Sequence, residues 1–293
     1  MFKVFAEFDI VRNGVRLHGR AGGQGAPLLL LHGHPQSHVM WHQVAPQLAE
    51  KFNVVMMDLR GYGDSGRPHA DESHLAYSKR EMALDALAVM QHFGFDRFKV
   101  LAHDRGARVA HRLAADMPGA VERLMLLDIA PTLAMYQNTT EAFAKAYWHW
   151  FFLIQPPPLP EALIDSDPVR FVRSMMGKRH AGLAAFAPEA LAEYERCAQI
   201  AGSGHSIAED YRASASIDLE HDRADVSIGR KVSQPLRVLW AEQGIVGKCF
   251  DVLALWRERA EQVSGREVAC GHYIAEELPA ELLAEAFDFF RSE

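Results

Sequence analysis

The stretch Leu101-Ala102-His103-Asp104-Arg105-Gly106-Ala107-Arg108 ends an apolar run and opens a helical pattern, with an acidic residue at the junction. Small residues on either side let strand and helix backbones approach closely there, so the Asp104 side chain stands at a sharp turn as a candidate nucleophile. Asp also caps helices well, and taken alone that plainer role would be favoured. Three further pieces reverse the odds. His32-Gly33-His34-Pro35 follows the first buried apolar run, where a loop can supply backbone N–H donors, those of His34 and Arg105 being the candidate oxyanion pair. Asp128 closes the next apolar run after Asp104, and Gly271-His272 precedes the last helical segment. Nucleophile, acid and histidine in that order make Asp104, Asp128 and His272 a candidate triad. Glu242, after a later apolar run, is the rival to Asp128.

A carboxylate nucleophile directs the chemistry away from peptides and lipids. It is ionised at neutral pH and can displace a leaving group at saturated carbon, which leaves an alkyl-enzyme ester. Histidine is then needed to activate the water that hydrolyses this ester. Dehalogenation or epoxide opening fits. Arg105 and Arg108, three apart in the first turn of a helix, share one face and oppose the helix dipole at about 0.3–1 kcal/mol each. Two guanidiniums there can clamp a substrate carboxylate; equally, they can pair with acidic groups of a covering segment and only hold it down. His32, His34 and His38 make an incomplete metal pattern, so neither a metal nor another cofactor is expected. Asp58, before Arg60-Gly61-Tyr62-Gly63, reads as structural.

These residues need a scaffold. Residues 2–19 read as two strands with a turn at Asn13-Gly14, and residues 22–25 as a loop. Continuous apolar runs at Pro27–Leu31, Val54–Asp58, Lys99–His103, Leu124–Asp128 and Pro235–Trp240 suit strands buried on both faces. Helical patterns at Trp41–Lys51, Tyr77–Phe93, 105–117 and Glu281–Phe290 alternate with them. The alternation predicts an α/β chain with a mostly parallel, doubly wound sheet. From about Pro131 to Ser233 strand signals vanish in favour of aromatic clusters and helical stretches near 168–176 and 188–198. We therefore divide the chain into core residues 1–131, a helical cap over 132–233 inserted between core strands, and core residues 234–293. A cap at the carboxyl ends of the strands would roof the site.

Composition narrows the partners. The 293 residues are 49% hydrophobic and 24% charged, which excludes collagen-like and disordered classes. Thirty-eight acidic against 31 basic residues give a net charge of −7, unsuited to binding nucleic acid. A local arginine pair can still hold a small anion. Cys197, Cys249 and Cys270 are odd in number with no Cys-x-x-Cys, and read as free thiols in a reducing compartment. Lys3, Glu7, Asp9 and Arg12 interrupt the start where an export signal needs an apolar run, and no stretch reaches the roughly 18 apolar residues of a bilayer span. A cytoplasmic enzyme with no membrane partner is expected.

HGHPQSHVMWHQVAPQLA, DLRGYGDS, HDRGAR, LLDIAPT, YWHW, DYRASASIDLEHD and CGHYIAEELP together resemble the fluoroacetate (haloacetate) dehalogenases of the α/β-hydrolase superfamily. The likeness spans nearly the whole chain, cap included. HDRGAR and YWHW are specific to that family, whereas HGHP and the late Gly-His are common to most of the superfamily. The resemblance implies an α/β-hydrolase fold in which Asp104 is the nucleophile, His272 the water-activating base and Asp128 its orienting acid. It further implies that Arg105 and Arg108 clamp the substrate carboxylate and that His149, Trp150 and Tyr211 bind the halide. N–H and O–H donors of that kind suit a poor leaving group such as fluoride. A small anionic haloacid and water are the implied partners, with a homodimer as the implied assembly. Two positions depart from the family: His34 where it commonly has Phe, and Lys178 where relatives usually have a cap tryptophan. Epoxide hydrolases and haloalkane dehalogenases share the Asp nucleophile, but usually carry Trp after it and act on neutral molecules. A non-catalytic ligand sensor on the same fold is the remaining class, and the complete triad counts against it.

Overall fold

Eight strands hydrogen-bond into one sheet in the order β1-β2-β4-β3-β5-β6-β7-β8. They are β1 (Ala6–Arg12), β2 (Val15–Gly23), β3 (Ala26–Leu31), β4 (Phe52–Met57), β5 (Phe98–His103), β6 (Val121–Leu127), β7 (Leu236–Ala241) and β8 (Val263–Val268). The computed structural model describes residues 1–291. β1 and β2 form an antiparallel hairpin, β2 pairs antiparallel with β4, and the rest of the sheet is parallel. Asn13 and Gly14 turn the hairpin at φ 49 and 78°, as a two-residue primed turn demands. Leu28–Leu31, Val54–Met57 and Leu124–Leu127 are fully buried, because helices cover both faces of the central strands.

The helices that matter for the site are α1 (Lys79–His92), α2 (Asp104–Asp116), α3 (Trp148–Leu153), α4 (Pro168–Gly177), α5 (Ser203–Ala215) and α6 (Pro279–Phe289). All residues of α2 from Asp104 to Ala114 are buried, so this helix forms the interface between sheet and cap. Arg112 is compensated from the cap, meeting Asp222 at 3.2 Å and Asp225 at 2.5 Å. Between β6 and β7 the chain makes a series of helices, from Thr132–Gln137 through Ile217–Ser227, and a single β-bridge from Val232 to Ala260. Among the described residues no helix is long and apolar enough to cross a membrane.

Local details differ from the sequence expectations for identifiable reasons. The helix expected over Trp41–Lys51 is two short turns, His38–Trp41 and Ala45–Leu48. Pro46 has no N–H to continue a helix begun at Trp41. The helix expected from Tyr77 starts at Lys79, because the Ser78 hydroxyl accepts the Glu81 N–H at 3.2 Å and caps it. The loop expected over residues 22–25 is partly strand, as β2 runs to Gly23. Strand β8 was not expected at all. It lies at the sheet edge with an exposed, polar pattern that leaves no apolar signal.

Candidate active site

Asp104 sits where β5 turns into α2, with φ at +45°. A non-glycine residue in this region costs about 1–2 kcal/mol, so the surroundings must impose it. Two glycines allow the crossing. A Cβ on Gly106 would lie 2.3 Å from the His32 carbonyl oxygen, and one on Gly33 would lie 2.5 Å from the Asp104 Cβ. The His34 backbone N–H donates to Asp104 Oδ1 at 3.0 Å. That oxygen is held in the loop's donor site, which leaves Oδ2 as the free end of the carboxylate. Burial pushes the Asp104 pKa up, but the positive fields of His272, His103, Arg105 and Arg108 outweigh it and hold the carboxyl well below the usual range.

His272 Nδ1 lies 2.6 Å from Asp128 Oδ2. The other Asp128 oxygen accepts the Ala241 N–H at 3.0 Å, so the end of β7 fixes the carboxylate's orientation. Glu242, the rival acid, is exposed one residue further on. His103, which reads in the sequence as a variable residue before the nucleophile, supports the triad from below. Its Nε2–H donates to the His272 carbonyl at 2.9 Å, its ring centroid is 4.6 Å from that of His272, and burial lowers its pKa to about 4.

The two arginines have different surroundings. Arg105 donates from Nε to Asp210 Oδ2 at 2.8 Å and from Nη2 to Asp210 Oδ1 at 2.9 Å, with Nη2 also on Ser214. Asp210 further takes the Tyr62 hydroxyl at 2.6 Å and the Lys79 ammonium. Arg105 Nη1 is left buried without a partner, and its guanidinium lies 4.2 Å from the Tyr211 ring centre. Arg108 meets only neutral acceptors: the Ala130 carbonyl at 3.2 Å, Thr132 Oγ1 at 2.8 Å and Met135 Sδ at 3.4 Å. Its Nε is buried and unpartnered. Burial, then the field of Arg105, lowers its pKa.

The aromatic trio stands beside them. Trp150 and Tyr211 ring centres are 6.4 Å apart, and His149 and Tyr211 5.9 Å. Trp150 Nε1 is buried with no partner. Burial, first, and Arg179 hold the His149 pKa well below its usual value, so the ring is neutral. Burial likewise keeps the Tyr211 phenol protonated. All three carry N–H or O–H groups able to face an anion.

A model of the α/β hydrolase fold family matches residues 26–277. The chain belongs to the α/β-hydrolase family. The hydrolase is 38% identical over 296 residues to a fluoroacetate dehalogenase from Burkholderia sp, covering 100% of this chain and 97% of that one. It is 35% identical to a soluble epoxide hydrolase from Corynebacterium sp. (strain C12), over 95% of this chain and 94% of the relative. A crystal structure of a provisionally named α/β hydrolase from Nostoc sp PCC 7120 matches with a TM-score of 0.96 and 51% identity, both chains being covered in full.

Several site residues of this hydrolase escaped the sequence reading. Asp210, the partner of Arg105, stands one residue before Tyr211 in the quoted DYRASAS stretch, and nothing in its spacing marks which cation it meets. Arg179 is a second case. Of the cap segment Gly177-Lys178-Arg179-His180, the exposed Lys178 places Nζ 5.5 Å from the Trp148 ring centre, whereas Arg179 reaches inward over Tyr147. His34 has both ring nitrogens buried without partners, and burial lowers its pKa to about 4. Asp58 is held by the His38 N–H at 2.7 Å and the Asp64 N–H at 2.9 Å, a loop brace. His32 accepts the Leu59 N–H on Nε2 at 3.0 Å. His18, His38 and Asp58, and separately Glu161, His205 and Glu209, lie close enough together to hold a metal. In the first group His38 Nδ1 faces Asp58 at 2.9 Å; in the second Arg212 bridges Glu161 and Glu209, while His205 Nε2 and Glu161 Oε2 meet no partner.

Proposed function

We propose that this hydrolase is a haloacetate dehalogenase, which converts fluoroacetate or chloroacetate and water to glycolate and halide. One observation carries the reading. Arg108 is a buried guanidinium beside the nucleophile with no carboxylate partner among the described residues, an arrangement that favours an anionic substrate. Its unpartnered Nε, with the free Nη1 of Arg105, supplies two donors for a substrate carboxylate.

With the carboxylate so anchored, Asp104 Oδ2 attacks C2. A C–O bond forms as the C–X bond breaks, and the electron pair leaves with the halide. Trp150 Nε1–H, His149 and Tyr211 donate to that departing charge. His272 then takes a proton from water as the water oxygen attacks the Asp104 carboxyl carbon, with Asp128 holding the imidazole in place. The His34 and Arg105 N–H groups face the oxyanion. Collapse releases glycolate, which takes back the proton from His272, and restores the Asp104 carboxylate with one oxygen from water, the second water proton passing to solvent.

Epoxide opening uses the same nucleophile and is the second reading, favoured by the 35% identity to an epoxide hydrolase. A neutral epoxide would leave Arg108 uncompensated. Fluoride and chloride release from haloacetates, with a neutral haloalkane and an epoxide as parallel substrates, decides between them. Turnover of the epoxide without halide release from either acid overturns the proposal. We propose a homodimer as the active particle, checked by light scattering during the same assays.

A further inference from the structure

A cavity of about 310 Å³ opens between cap and core over His272. Lys145, Lys178 and Arg179 line it beside His149 and His272, and no acidic residue does. Lys145 pairs with the exposed Glu141, but Lys178 and Arg179 meet no carboxylate among the described residues, and in a chain with net charge −7 these two cations at the mouth of the site form a local anion trap. Arg179 is the innermost. Its guanidinium stacks 5.0 Å from the Tyr147 ring centre and lies beside the Tyr273 hydroxyl. No carboxylate among the described residues pairs with it; the acids whose fields reach it are Asp128 and Asp104, both committed to the triad.

This cation is separate from the pair on α2. Arg105 stacks on Tyr211, Tyr211 meets His149 at 5.9 Å, His149 meets Tyr147 at 5.2 Å, and Arg179 stacks on Tyr147. The two guanidiniums thus stack on different rings, Arg105 on Tyr211 and Arg179 on Tyr147, and a molecule with two carboxylates can offer one to each.

We propose that Arg179, with Lys145 and Lys178 at the rim, is a second anion subsite that takes the distal carboxylate of a 2-halo dicarboxylic acid. The inference rests on the reading of the Arg105 and Arg108 face as the seat of the first carboxylate. The reaction is unchanged: Asp104 displaces halide at C2, and Arg179 holds the far end of the chain. A planar guanidinium suits a carboxylate bidentately, and the lysines draw the dianion inward.

The test uses ligands without halogen, so that it stands apart from halide release. Asp104→Asn protein is titrated calorimetrically with succinate and with butyrate, which matches its length with one carboxylate fewer. Succinate should bind about tenfold or more tightly, the scale of one added charged hydrogen-bonded pair. Arg179→Met in that background should remove the advantage while butyrate binds as before, and Arg179→Lys should restore part of it. Equal binding of the two acids, an advantage that survives Arg179→Met, or equal weakening of both ligands would each overturn the subsite. Chloride release from 2-chlorosuccinate and 2-chlorobutyrate by the unmodified enzyme separates the two readings. A succinate preference without chloride release from any haloacid sinks the dehalogenase reading and leaves the subsite standing; chloride release with no dicarboxylate preference does the opposite.

Discussion

Arg105 and Arg108 lie one turn apart on the helix that opens at Asp104, yet only Arg105 meets a carboxylate. Asp210 takes two of its N–H groups, and through Lys79 and Tyr62 that carboxylate ties cap to core. Arg108, also buried, is left with a carbonyl, a hydroxyl, a thioether and the face of Trp150 at 4.7 Å. One face of one helix therefore carries a compensated charge that holds the lid and an uncompensated one that faces the site.

The two should respond differently to the same substitution. Arg105→Leu strands a buried Asp210 against Lys79 and should cost about 3–5 kcal/mol of stability in urea unfolding. Arg108→Leu removes an unpaired buried charge, so stability should hold or rise. Its cost should fall on haloacetate kcat/KM, at about 2–5 kcal/mol in transition-state binding. Equal destabilisation by both would make Arg108 a strut as well.

His272→Ala should separate the two half-reactions. One halide per site is released and intact mass shows a carboxymethyl adduct that does not turn over, whereas Asp104→Asn releases none. Arg105 and Arg108 still lower the Asp104 pKa in the His272→Ala protein, so the burst rate should be flat from about pH 5 to 9. Repeated turnover by His272→Ala would remove His272 as the base.

Trp150→Phe keeps an aromatic body and deletes the buried, unpartnered Nε1–H. Fluoride concentrates departing charge most, so single-turnover alkylation by fluoroacetate should slow about 10²-fold and that by chloroacetate only a few-fold. Equal slowing would mean that Trp150 only packs the cap.

Away from the reaction, Glu276 is buried, bonded to Tyr194 and Gln36, and raised by burial to a pKa of about 7. The unfolded chain loses this proton near the ordinary glutamate pKa, while the folded chain keeps it until about pH 7. The unfolded state is thereby favoured as pH climbs through that window, and wild-type stability should fall across it. Glu276→Gln titrates no proton there and should gain on wild type by up to about 3 kcal/mol between pH 4.5 and 8. Denaturant melts of both proteins at the two pH values check this; a constant difference would place the Glu276 pKa at its unfolded value.

Chain order and residue type were enough to locate the strand-turn-helix at Asp104, because a parallel sheet buried on both faces writes itself as continuous apolar runs and the sharp turn requires small residues beside the nucleophile. The same logic placed His34, Asp128 and His272 at strand ends or loops, and the long stretch without strand signals marked the inserted helices. What these signals share is locality: each comes from backbone demands within a few residues. The edge strand β8 was missed because its exposed polar pattern carries no such demand.

Pairing is a different kind of information. That Arg105 is compensated and Arg108 is not, that Asp128 rather than Glu242 meets His272, and that Arg179 rather than Lys178 faces the cavity all depend on residues tens to more than a hundred positions apart. A charge acts over a few ångströms in space, and only the packing of cap on core sets which charges come that close. Sequence alone determined the turn of the candidate nucleophile, the order of the candidate triad and the parallel sheet beneath them. Tertiary structure decided which buried cations remain free to hold an anion, because that depends on what every neighbouring element has already neutralised.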